Sequence, residues 1–250
     1  RQEEAGTWGK ALQLVLIALI PKADGDRRPI GLMPTPIRLW MRARSPAARE
    51  WEKSNHRDNV YAGPSMGAQR AAWQTAFQAE SSALDGLDYA QTNLDIVKAF
   101  EKIKHPLLIR AAKKHGYNLR VLRLSLAAYR APRAIGVGRV YSRLIVATTG
   151  ITAGSGFATS ELRVLLLDLV DDSYVMFTSL RIRCSFYVDD VTVEAFGVPG
   201  TVHLKSGAAS TYVVDYFQEK LELEVSAKKS GVTTAKRKLA EQILALDYTG

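Results

Sequence analysis

Three acidic residues at the ends of apolar segments have the types and spacing that could support metal-dependent chemistry. Asp95 ends an apolar strand-like segment, and Asp189 and Asp190 separate two strand-like runs, as at the tip of a tight hairpin. Carboxylates held rigidly at strand ends repel one another, and a cation relieves that repulsion. Hard oxygen ligands of this kind suit Mg²⁺, which prefers one or two carboxylates together with substrate phosphates. The pattern predicts a magnesium site, provided that residues 95 and 189–190 meet in the fold.

An acidic pair in a turn is more often solvated than functional, so the pair at 189–190 needs support from its neighbours. Asp171 and Asp172 illustrate the ordinary case, because they follow a helical pattern and precede Ser173, and we expect them in a surface loop. The pair at 189–190 differs because predicted strands flank it, over residues 175–188 and 191–196. These flanks favour a rigid hairpin tip.

The elements that must position these acids mix strands and helices. Further strands are predicted over residues 12–20, 30–33 and 92–97, with another hairpin over 134–146. Apolar periodicity predicts helices over residues 38–47, 68–84, 100–115, 119–129, 158–170, 213–223 and 233–246. Because these elements do not alternate as regular βαβ units, we predict an α+β fold.

Composition limits the remaining classes of function. The 250 residues, 47% hydrophobic and 24% charged, suit a globular protein with one core or two fused subdomains. The single Cys184 excludes an internal disulfide and fits an intracellular, reducing compartment, with nucleus and cytoplasm both open. The longest apolar run, residues 11–21, is too short to span a membrane. The four histidines lack the spacing of zinc ligands: His56, His105, His115 and His203.

Five segments, in the order found in the family, resemble the motifs of reverse transcriptases. The segment Tyr187-Val-Asp-Asp looks like the family's YxDD signature, and residues 94–107 are similar to its first catalytic motif. Residues 20–30 resemble the fingers hairpin, 149–157 the loop that contacts template and nucleotide, and 223–230 the late palm motif that ends in lysine. The Ile-Pro-Lys and Arg-Pro-Ile pieces are closest to retroelement enzymes of the non-LTR retrotransposon and group II intron-like types.

The resemblance implies an RNA-directed DNA polymerase, a nucleotidyltransferase that adds deoxynucleotides to a primer 3′-hydroxyl. Asp95, Asp189 and Asp190 would bind two Mg²⁺ ions, for which Mn²⁺ can substitute. Two ions about 4 Å apart can activate the attacking hydroxyl and stabilise the leaving pyrophosphate. The implied partners are an RNA template, a DNA or RNA primer and deoxynucleoside triphosphates, with no membrane involved.

The resemblance also assigns substrate contacts and a general acid. Lys22 and Arg28 would neutralise the charge of the incoming triphosphate, and Gly154 and Tyr187 would contact substrate. Lys229 is the candidate general acid for pyrophosphate, and Lys228 is its rival because the correspondence can shift by one residue. Without the family, Lys22 and Arg28 are better explained as solvated turn residues, and Lys228 and Lys229 are equally well explained as part of a basic surface.

Two residues bear on how the nucleotide is recognised. Phe100 lies five residues after Asp95, where the family places an aromatic ring that a 2′-hydroxyl would collide with, so deoxynucleotides are favoured. Taken without the family, Phe100 is a core residue. Ala153 stands where the family usually has Gln, and one polar contact to nucleotide or template is therefore missing.

Charge placement favours a polyanionic partner. The formal net charge is +9, and one stretch has a single acid, Glu101, among many bases. Such a stretch would bind template or primer phosphates in a salt-sensitive way; a solvated basic face is the alternative. Tyr117, Tyr129 and Tyr141 lie among these bases and either stack on nucleotide bases or belong to the core. The eleven bases are Lys102, Lys104, Arg110, Lys113, Lys114, Arg120, Arg123, Arg130, Arg133, Arg139 and Arg143.

The expected architecture is a right-hand polymerase in which the thumb is missing. Fingers are predicted from about residues 1–75 and 104–157, and a palm with an antiparallel sheet and flanking helices from about 76–103 and 158–250. We expect the chain to be part of a longer polyprotein with further domains. Two alternatives stay open: a catalytically decayed or domesticated nucleic-acid-binding domain, and, less favoured, an RNA-dependent RNA polymerase.

Overall fold

The computed structural model describes residues 1–23, 25–63, 66–138 and 140–246. Asp24 of the predicted fingers hairpin, Arg139 of the basic stretch and the end of the predicted palm at 247–250 lie outside the described residues. The chain forms two compact units, each built around its own four-stranded sheet. The first comprises Arg1–Asn55 with Phe100–Leu165, and the second His56–Ala99 with Leu166–Gly250.

The sheet of the first unit begins with a hairpin. Strands β1 (Val15–Pro21) and β2 (Arg27–Leu32) pair antiparallel, β4 (Arg133–Val137) pairs parallel to β1, and β5 (Val140–Tyr141) pairs antiparallel to β4. The order across the sheet is β2-β1-β4-β5. The apolar residues of β1 alternate between buried and more exposed positions, as a strand with one buried face requires.

In the described part of the first unit, five α-helices lie wholly or largely within it, and a sixth begins there. They are α1 (Gln2–Ala5), α2 (Thr35–Ser54), α4 (Ala99–Lys102), α5 (His105–Lys114), α6 (Leu119–Tyr129) and the start of α7 (Ala158–Phe177). Asn118 caps α6 by accepting hydrogen bonds from the backbone N–H groups of Arg120 and Val121. Most of α6 is buried, with Leu122 and Leu124 almost wholly enclosed. This helix is the central core element of the unit.

The sheet of the second unit is antiparallel throughout, in the order β6-β7-β3-β8. The strands are β3 (Asp88–Leu94), β6 (Ile182–Tyr187), β7 (Asp190–Gly197) and β8 (Gly231–Thr234). Strands β6 and β7 form a hairpin with a two-residue loop, because Tyr187 pairs with Asp190. Helices α3 (Ala68–Leu84), α8 (Val202–Asp215) and α9 (Arg237–Leu244) accompany the sheet, and Thr92 of β3 and Ser206 of α8 share a buried hydrogen bond of 3.1 Å.

The mixture of strands and helices confirms the predicted α+β class, and several elements fall where periodicity placed them. Helices α3 and α6 coincide with the predicted ranges 68–84 and 119–129. The strand predicted over 92–97 is shifted, since β3 spans Asp88–Leu94. The apolar residues after Leu94 misled the prediction: Ile96 is buried, but it forms an isolated bridge with Val225 instead of continuing the strand.

Four further predictions need correction. Residues 175–177 belong to the end of α7 and not to a strand, because that helix continues to Phe177. Asp171 and Asp172 consequently lie in a helix and not in a surface loop, and Asp171 pairs with Arg57 at 2.5 Å. The helix predicted over 213–223 is in fact α8 with a short π-helical turn, Tyr216–Lys220, and β8 precedes a last helix shorter than predicted.

The two units follow the same alternating order along the chain as the predicted fingers and palm, with boundaries at 55, 99 and 165. The naming of the units as fingers and palm stays a prediction. Across the described part of the chain, the helices are all too short or too polar to cross a lipid bilayer.

Candidate active site

The register of two neighbouring strands brings distant acids together in the second unit. Leu94, the last residue of β3, pairs with Val191 of antiparallel β7. The next residue on one strand, Asp95, and the preceding residue on the other, Asp190, are therefore neighbours at the same end of the sheet. Residues separated by almost a hundred positions in the sequence thus meet where strand pairing ends.

The loop between β6 and β7 holds Asp189 beside this pair in a strained turn. Only Val188 and Asp189 separate the paired residues Tyr187 and Asp190. Val188 has φ of 59°, in the left-handed region that a β-branched residue rarely adopts. Two-residue hairpin loops favour such dihedrals but normally use Gly, Asn or Asp for them. This strained turn places Asp189 at the tip of the hairpin.

The electrostatics of the three acids agree with the register. The pKa of Asp190 is raised above its ordinary value by partial desolvation, and then by repulsion from the negative charges of Asp189 and Asp95. Asp95 and Asp189 are half-buried, whereas Asp190 is exposed. Among the residues that the structure describes, the charges that shift this pKa are both negative. The three carboxylates therefore form a local concentration of negative charge that a cation would relieve.

The donor chemistry of these acids fits a magnesium site, but the side chains are not gathered into a finished one. Within residues 1–23, 25–63, 66–138 and 140–246, no three His, Cys, Asp or Glu side chains stand close enough together to hold a metal ion as they are. The oxygen donors and the mutual repulsion that raises the pKa of Asp190 are those a divalent cation would compensate. The prediction that Asp95, Asp189 and Asp190 are metal ligands stays a proposal.

A turn that contains two serines is hydrogen-bonded to the backbone of Asp95, and it carries the predicted general acid. The backbone C=O of Asp95 accepts a hydrogen bond from the N–H of Ser226 (2.8 Å), and its N–H donates one to Ser230 Oγ (3.1 Å). The N–H groups of Lys229 and Ser230 both donate to the C=O of Ser226, which closes the turn. Lys228 and Lys229 are both exposed on it. Sequence reasoning missed the two serines, whose only signal was their flanking of the paired lysines.

A buried ion pair supports the hairpin below its acidic tip. Glu194 of β7 is wholly buried, and its cross-strand partner Arg183 of β6 donates to it from Nε at 2.7 Å. The hydroxyl of Tyr89 on β3 donates to the same carboxylate at 2.8 Å. Burial, and then the charge of Glu194, raise the pKa of Tyr89. The three residues join β6, β7 and β3 and fix the register on which the acidic site depends.

The predicted triphosphate contacts lie on the hairpin of the first unit. Lys22 Nζ is 3.4 Å from Asp26 Oδ2, and the N–H of Lys22 donates to the C=O of Asp26, which closes the turn between β1 and β2. Arg28 is exposed and pairs with Ile20 across the hairpin. Arg28 is thus available at the surface of the hairpin, whereas Lys22 is half-buried and paired with Asp26, and the predicted role of both bases is untested.

The predicted nucleotide loop packs tightly against the same hairpin. Gly154 has φ of 105°, and a Cβ there would lie 2.6 Å from the carbonyl oxygen of Gly31 on β2. The N–H of Gly31 in turn donates to Ala153 O at 2.7 Å. At the start of the loop, the N–H of Ile151 donates to the C=O of Phe100 at 2.7 Å, and Phe100 itself is half-buried. Glycine is required at 154 because no side chain fits the close approach.

Beneath this loop lies a buried polar cluster that the sequence did not reveal. The hydroxyl of Tyr129 donates to Glu161 Oε2 at 2.6 Å, and Ser155 Oγ is 2.6 Å from the same hydroxyl. Burial raises the pKa of Glu161 to about 8, although the hydrogen bond from Tyr129 opposes the shift. Glu161 is consequently protonated and neutral near pH 7. The cluster connects α6 and α7 to the loop through Ser155.

His105 anchors the start of the loop in its neutral form. Its Nε2 donates to Gly150 O at 2.9 Å, and its Nδ1 accepts from Arg130 Nε at 3.0 Å. Desolvation, followed by the charges of Arg130 and Arg133, lowers its pKa, although the bond to Gly150 opposes the shift. His105 is therefore a structural residue of the loop.

The basic stretch is partly exposed. Arg110, Lys113 and Arg120 are exposed, while Arg130 and Arg133 hydrogen-bond within the unit. Of the three interleaved tyrosines, Tyr117 and Tyr129 are core residues, and Tyr141 is 59% exposed. Only Tyr141 among the three can stack on a base without unfolding the unit.

Comparisons with known proteins place the fold. Neither a protein-family model nor a curated protein sequence matches the chain. Among solved structures, the chain is similar to apo telomerase from Candida tropicalis (TM-score 0.65, 11% identity, 92% of this chain and 46% of that chain). It is equally similar to telomerase from Candida albicans in complex with a fragment of telomeric RNA (TM-score 0.65, 12% identity, 94% and 45%). The chain spans about half the length of these telomerases, and over that part it shares their fold.

Proposed function

We propose that this chain is the fingers and palm of an RNA-directed DNA polymerase. The observation that carries the proposal is the pairing of β3 with β7, which makes Asp95 and Asp190 neighbours, with Asp189 in the adjoining turn. The raised pKa of Asp190 supports the same cluster. The likeness of the fold to telomerases makes nucleotidyl transfer the first class of reaction to consider, and the sequence motifs favour a retroelement-type enzyme.

In this proposal Asp95, Asp189 and Asp190 hold two divalent cations. Two Mg²⁺ ions, when bound, supply an activated primer 3′-hydroxyl and charge stabilisation for the leaving pyrophosphate. The rigid strand ends orient the carboxylates, and the Arg183–Glu194 pair keeps the two strands in register. Deprotonated Asp190 is the form that would bind a cation, and a bound cation would offset the repulsion from Asp189 and Asp95 that contributes to its raised pKa.

The lysine turn supplies the proposed general acid. Lys229 would protonate the leaving pyrophosphate, and Lys228 remains its rival because both side chains are exposed on the same turn. Two hydrogen bonds hold that turn against the backbone of Asp95: the N–H of Ser226 donates to the C=O of Asp95, and the Oγ of Ser230 accepts from its N–H. This attachment supports a role for the turn in the chemistry of the acidic cluster.

The remaining substrate contacts are assigned residue by residue. Lys22 and Arg28 would neutralise the triphosphate, the backbone at Gly154 and the ring of Tyr187 would contact substrate, and Phe100 would favour deoxynucleotides over ribonucleotides. The exposed basic residues would bind template and primer phosphates without regard to base sequence. The telomeric RNA bound by the Candida albicans telomerase supports RNA as the template class.

Primer extension on a primed RNA template tests the proposal. We expect deoxynucleotide addition with Mg²⁺ or Mn²⁺ by the wild type, and none by Asp189→Asn. Asp58→Asn is the matched control, because Asp58 is an exposed acid elsewhere in the same unit. Offering ribonucleotides in parallel tests the RNA-dependent RNA polymerase alternative, which predicts their preferential use.

A catalytically decayed, nucleic-acid-binding domain is the second candidate. Two observations favour it: Ala153 in the nucleotide loop, and the absence of a preformed three-donor metal group among the described residues. It predicts salt-sensitive binding of primed RNA by wild type and Asp189→Asn alike, with no extension by either. Extension by the wild type alone would eliminate this candidate.

A further inference from the structure

Helix α3 directs its largest apolar side chains away from the sheet beneath it. Trp73, Phe77 and Leu84 are 77%, 65% and 89% exposed. On the opposite side, Ser82 is buried and donates a hydrogen bond to the C=O of Gln78. A helix on a sheet ordinarily buries its large apolar residues and exposes its small and polar ones. The reversed arrangement leaves an aromatic surface that the described part of the chain does not cover.

The exposed residues of α3 form one continuous seam with two opposite charges in it. The seam comprises positions 70, 73, 77, 80 and 84. These positions are separated alternately by three and four residues, which is the a and d spacing of a coiled coil. Arg70 and Glu80 occupy two of these positions and are both exposed. Within the residues that the structure describes, neither forms an ion pair. The seam therefore carries an unpaired positive charge near one end and an unpaired negative charge ten residues later.

We propose that α3 is a dimerisation face, on which the α3 helix of a second copy of this chain packs antiparallel. When two such helices are related by a two-fold axis near Thr75, Arg70 of each faces Glu80 of the other. In the same register, Trp73 of each faces Phe77 of the other. Every contact occurs twice, as an isologous interface requires. The seam is therefore complementary to a second copy of itself, both in charge and in aromatic rings.

The surface beside the seam can receive the rings of the partner. A groove of about 660 Å³ runs between α3 and strands β3 and β8, and small residues of α3 line it, among them Ala72, Ala76 and Ala83. Small side chains next to a ridge allow two helices to approach closely. The two Trp and two Phe side chains would bury about 600–1,000 Å² in total. This area is below that of a standard interface, so we expect a weak dimer whose formation depends on protein concentration.

Charge reversal in the 250-residue chain tests the dimer without removing its aromatic residues. Sedimentation velocity should show a concentration-dependent dimer for the wild type, at micromolar to sub-millimolar protein. Arg70→Glu and Glu80→Arg should each weaken dimerisation at least about tenfold, because like charges then face each other. An equimolar mixture of the two variants should restore it as a heterodimer, since each glutamate then meets an arginine. Lys238→Glu, a charge reversal at an exposed position of α9, is the control and should leave the dimer unchanged.

The outcomes decide between a second copy and any other occupant. A wild type that stays monomeric at all concentrations overturns the proposal, and the aromatic seam then belongs to a different partner. A dimer that neither charge reversal weakens, or a mixture that fails to recover dimerisation although circular dichroism shows both variants folded, overturns it equally. The proposal does not depend on polymerase activity, so the two can fail separately.

Discussion

The backbone N–H of Asp95 donates a 3.1 Å hydrogen bond to the Oγ of Ser230, a residue 135 positions later in the chain. The C=O of Asp95 is bonded to Ser226 at the other end of the same turn. The strand end that carries the acid and the turn that carries the lysines are therefore one structural unit. A change in the turn should therefore alter the position of the acid.

Removal of the serine hydroxyl tests this connection. Ser230→Ala should lower the free energy of unfolding by about 0.5–1.5 kcal/mol, the contribution of one hydrogen bond. We expect a larger effect on catalysis, a decrease of about tenfold in the rate of nucleotide addition with little change in the KM for nucleotide, because orientation is lost and not binding. Single-nucleotide extension kinetics measure both quantities. Ser45→Ala, which removes a surface hydroxyl of α2, should change neither.

The strained turn at the acidic tip predicts a stabilising substitution. A left-handed backbone costs an ordinary residue about 1–2 kcal/mol, and Asn tolerates it better than Val does. Val188→Asn should therefore raise the free energy of unfolding by about 0.5–1 kcal/mol in urea denaturation. Val198→Asn, at an exposed position without positive φ, should change it by less than about 0.5 kcal/mol. Equal effects at the two sites would mean that strain in the turn is not the cause.

The close approach of the nucleotide loop to β2 predicts a destabilising substitution. Gly154→Ala adds a Cβ 2.6 Å from the carbonyl oxygen of Gly31, in addition to the unfavourable φ of 105°. We expect a loss of about 2–4 kcal/mol by thermal or urea unfolding, with displacement of the loop. Gly116→Ala has a φ of 65° and open space around it, so it isolates the backbone effect and should lose only about 1 kcal/mol. A loss at 154 no larger than at 116 would argue against the contact.

The buried Glu161 predicts a pH dependence of stability. Its pKa is about 8 in the folded chain, against an ordinary value of 4.5. Since the unfolded chain releases this proton at a lower pH than the folded chain does, stability attributable to Glu161 is fully present below about pH 4.5 and is lost as the pH rises to 8. Glu161→Gln should remove this loss and make the chain more stable than wild type at pH 8, by on the order of 2–4 kcal/mol.

Urea unfolding of both proteins at pH 6 and pH 8 measures the difference. Glu241→Gln, at an exposed acid of α9, is the control and should follow the wild type at both values. If the stabilities of wild type and Glu161→Gln changed in parallel between the two pH values, Glu161 would not be protonated in the folded state.

Local sequence signals predicted the elements whose periodicity is strong. The ranges of α3 and α6 follow from apolar repeats and clear end signals, and in α6 from the cap at Asn118. Strand β8 was missed because Gly231–Thr234 has only one strongly apolar residue and owes its structure to pairing with β3. Apolar residues at 175–177 resembled a strand, but they complete the last turn of a helix.

Some residues of the candidate site were likewise predictable from local sequence, and others are identified only by tertiary contacts. The acids at 95, 189 and 190 were recognisable from their flanking residues, and the strand register now makes two of them neighbours. Ser230 and Glu161 could not have been identified, because their importance comes only from contacts across 135 and 32 residues. The roles of Lys22, Arg28 and Phe100 stay predictions.

Cation binding by the acidic cluster tests the central claim most directly. Mn²⁺ affinity, measured by electron paramagnetic resonance without nucleic acid, should fall at least about tenfold in Asp95→Asn and in Asp190→Asn, since each variant removes one carboxylate ligand. Asp58→Asn should bind Mn²⁺ as the wild type does. Equal Mn²⁺ affinity in the wild type and in both cluster variants would contradict a shared metal site at residues 95 and 190.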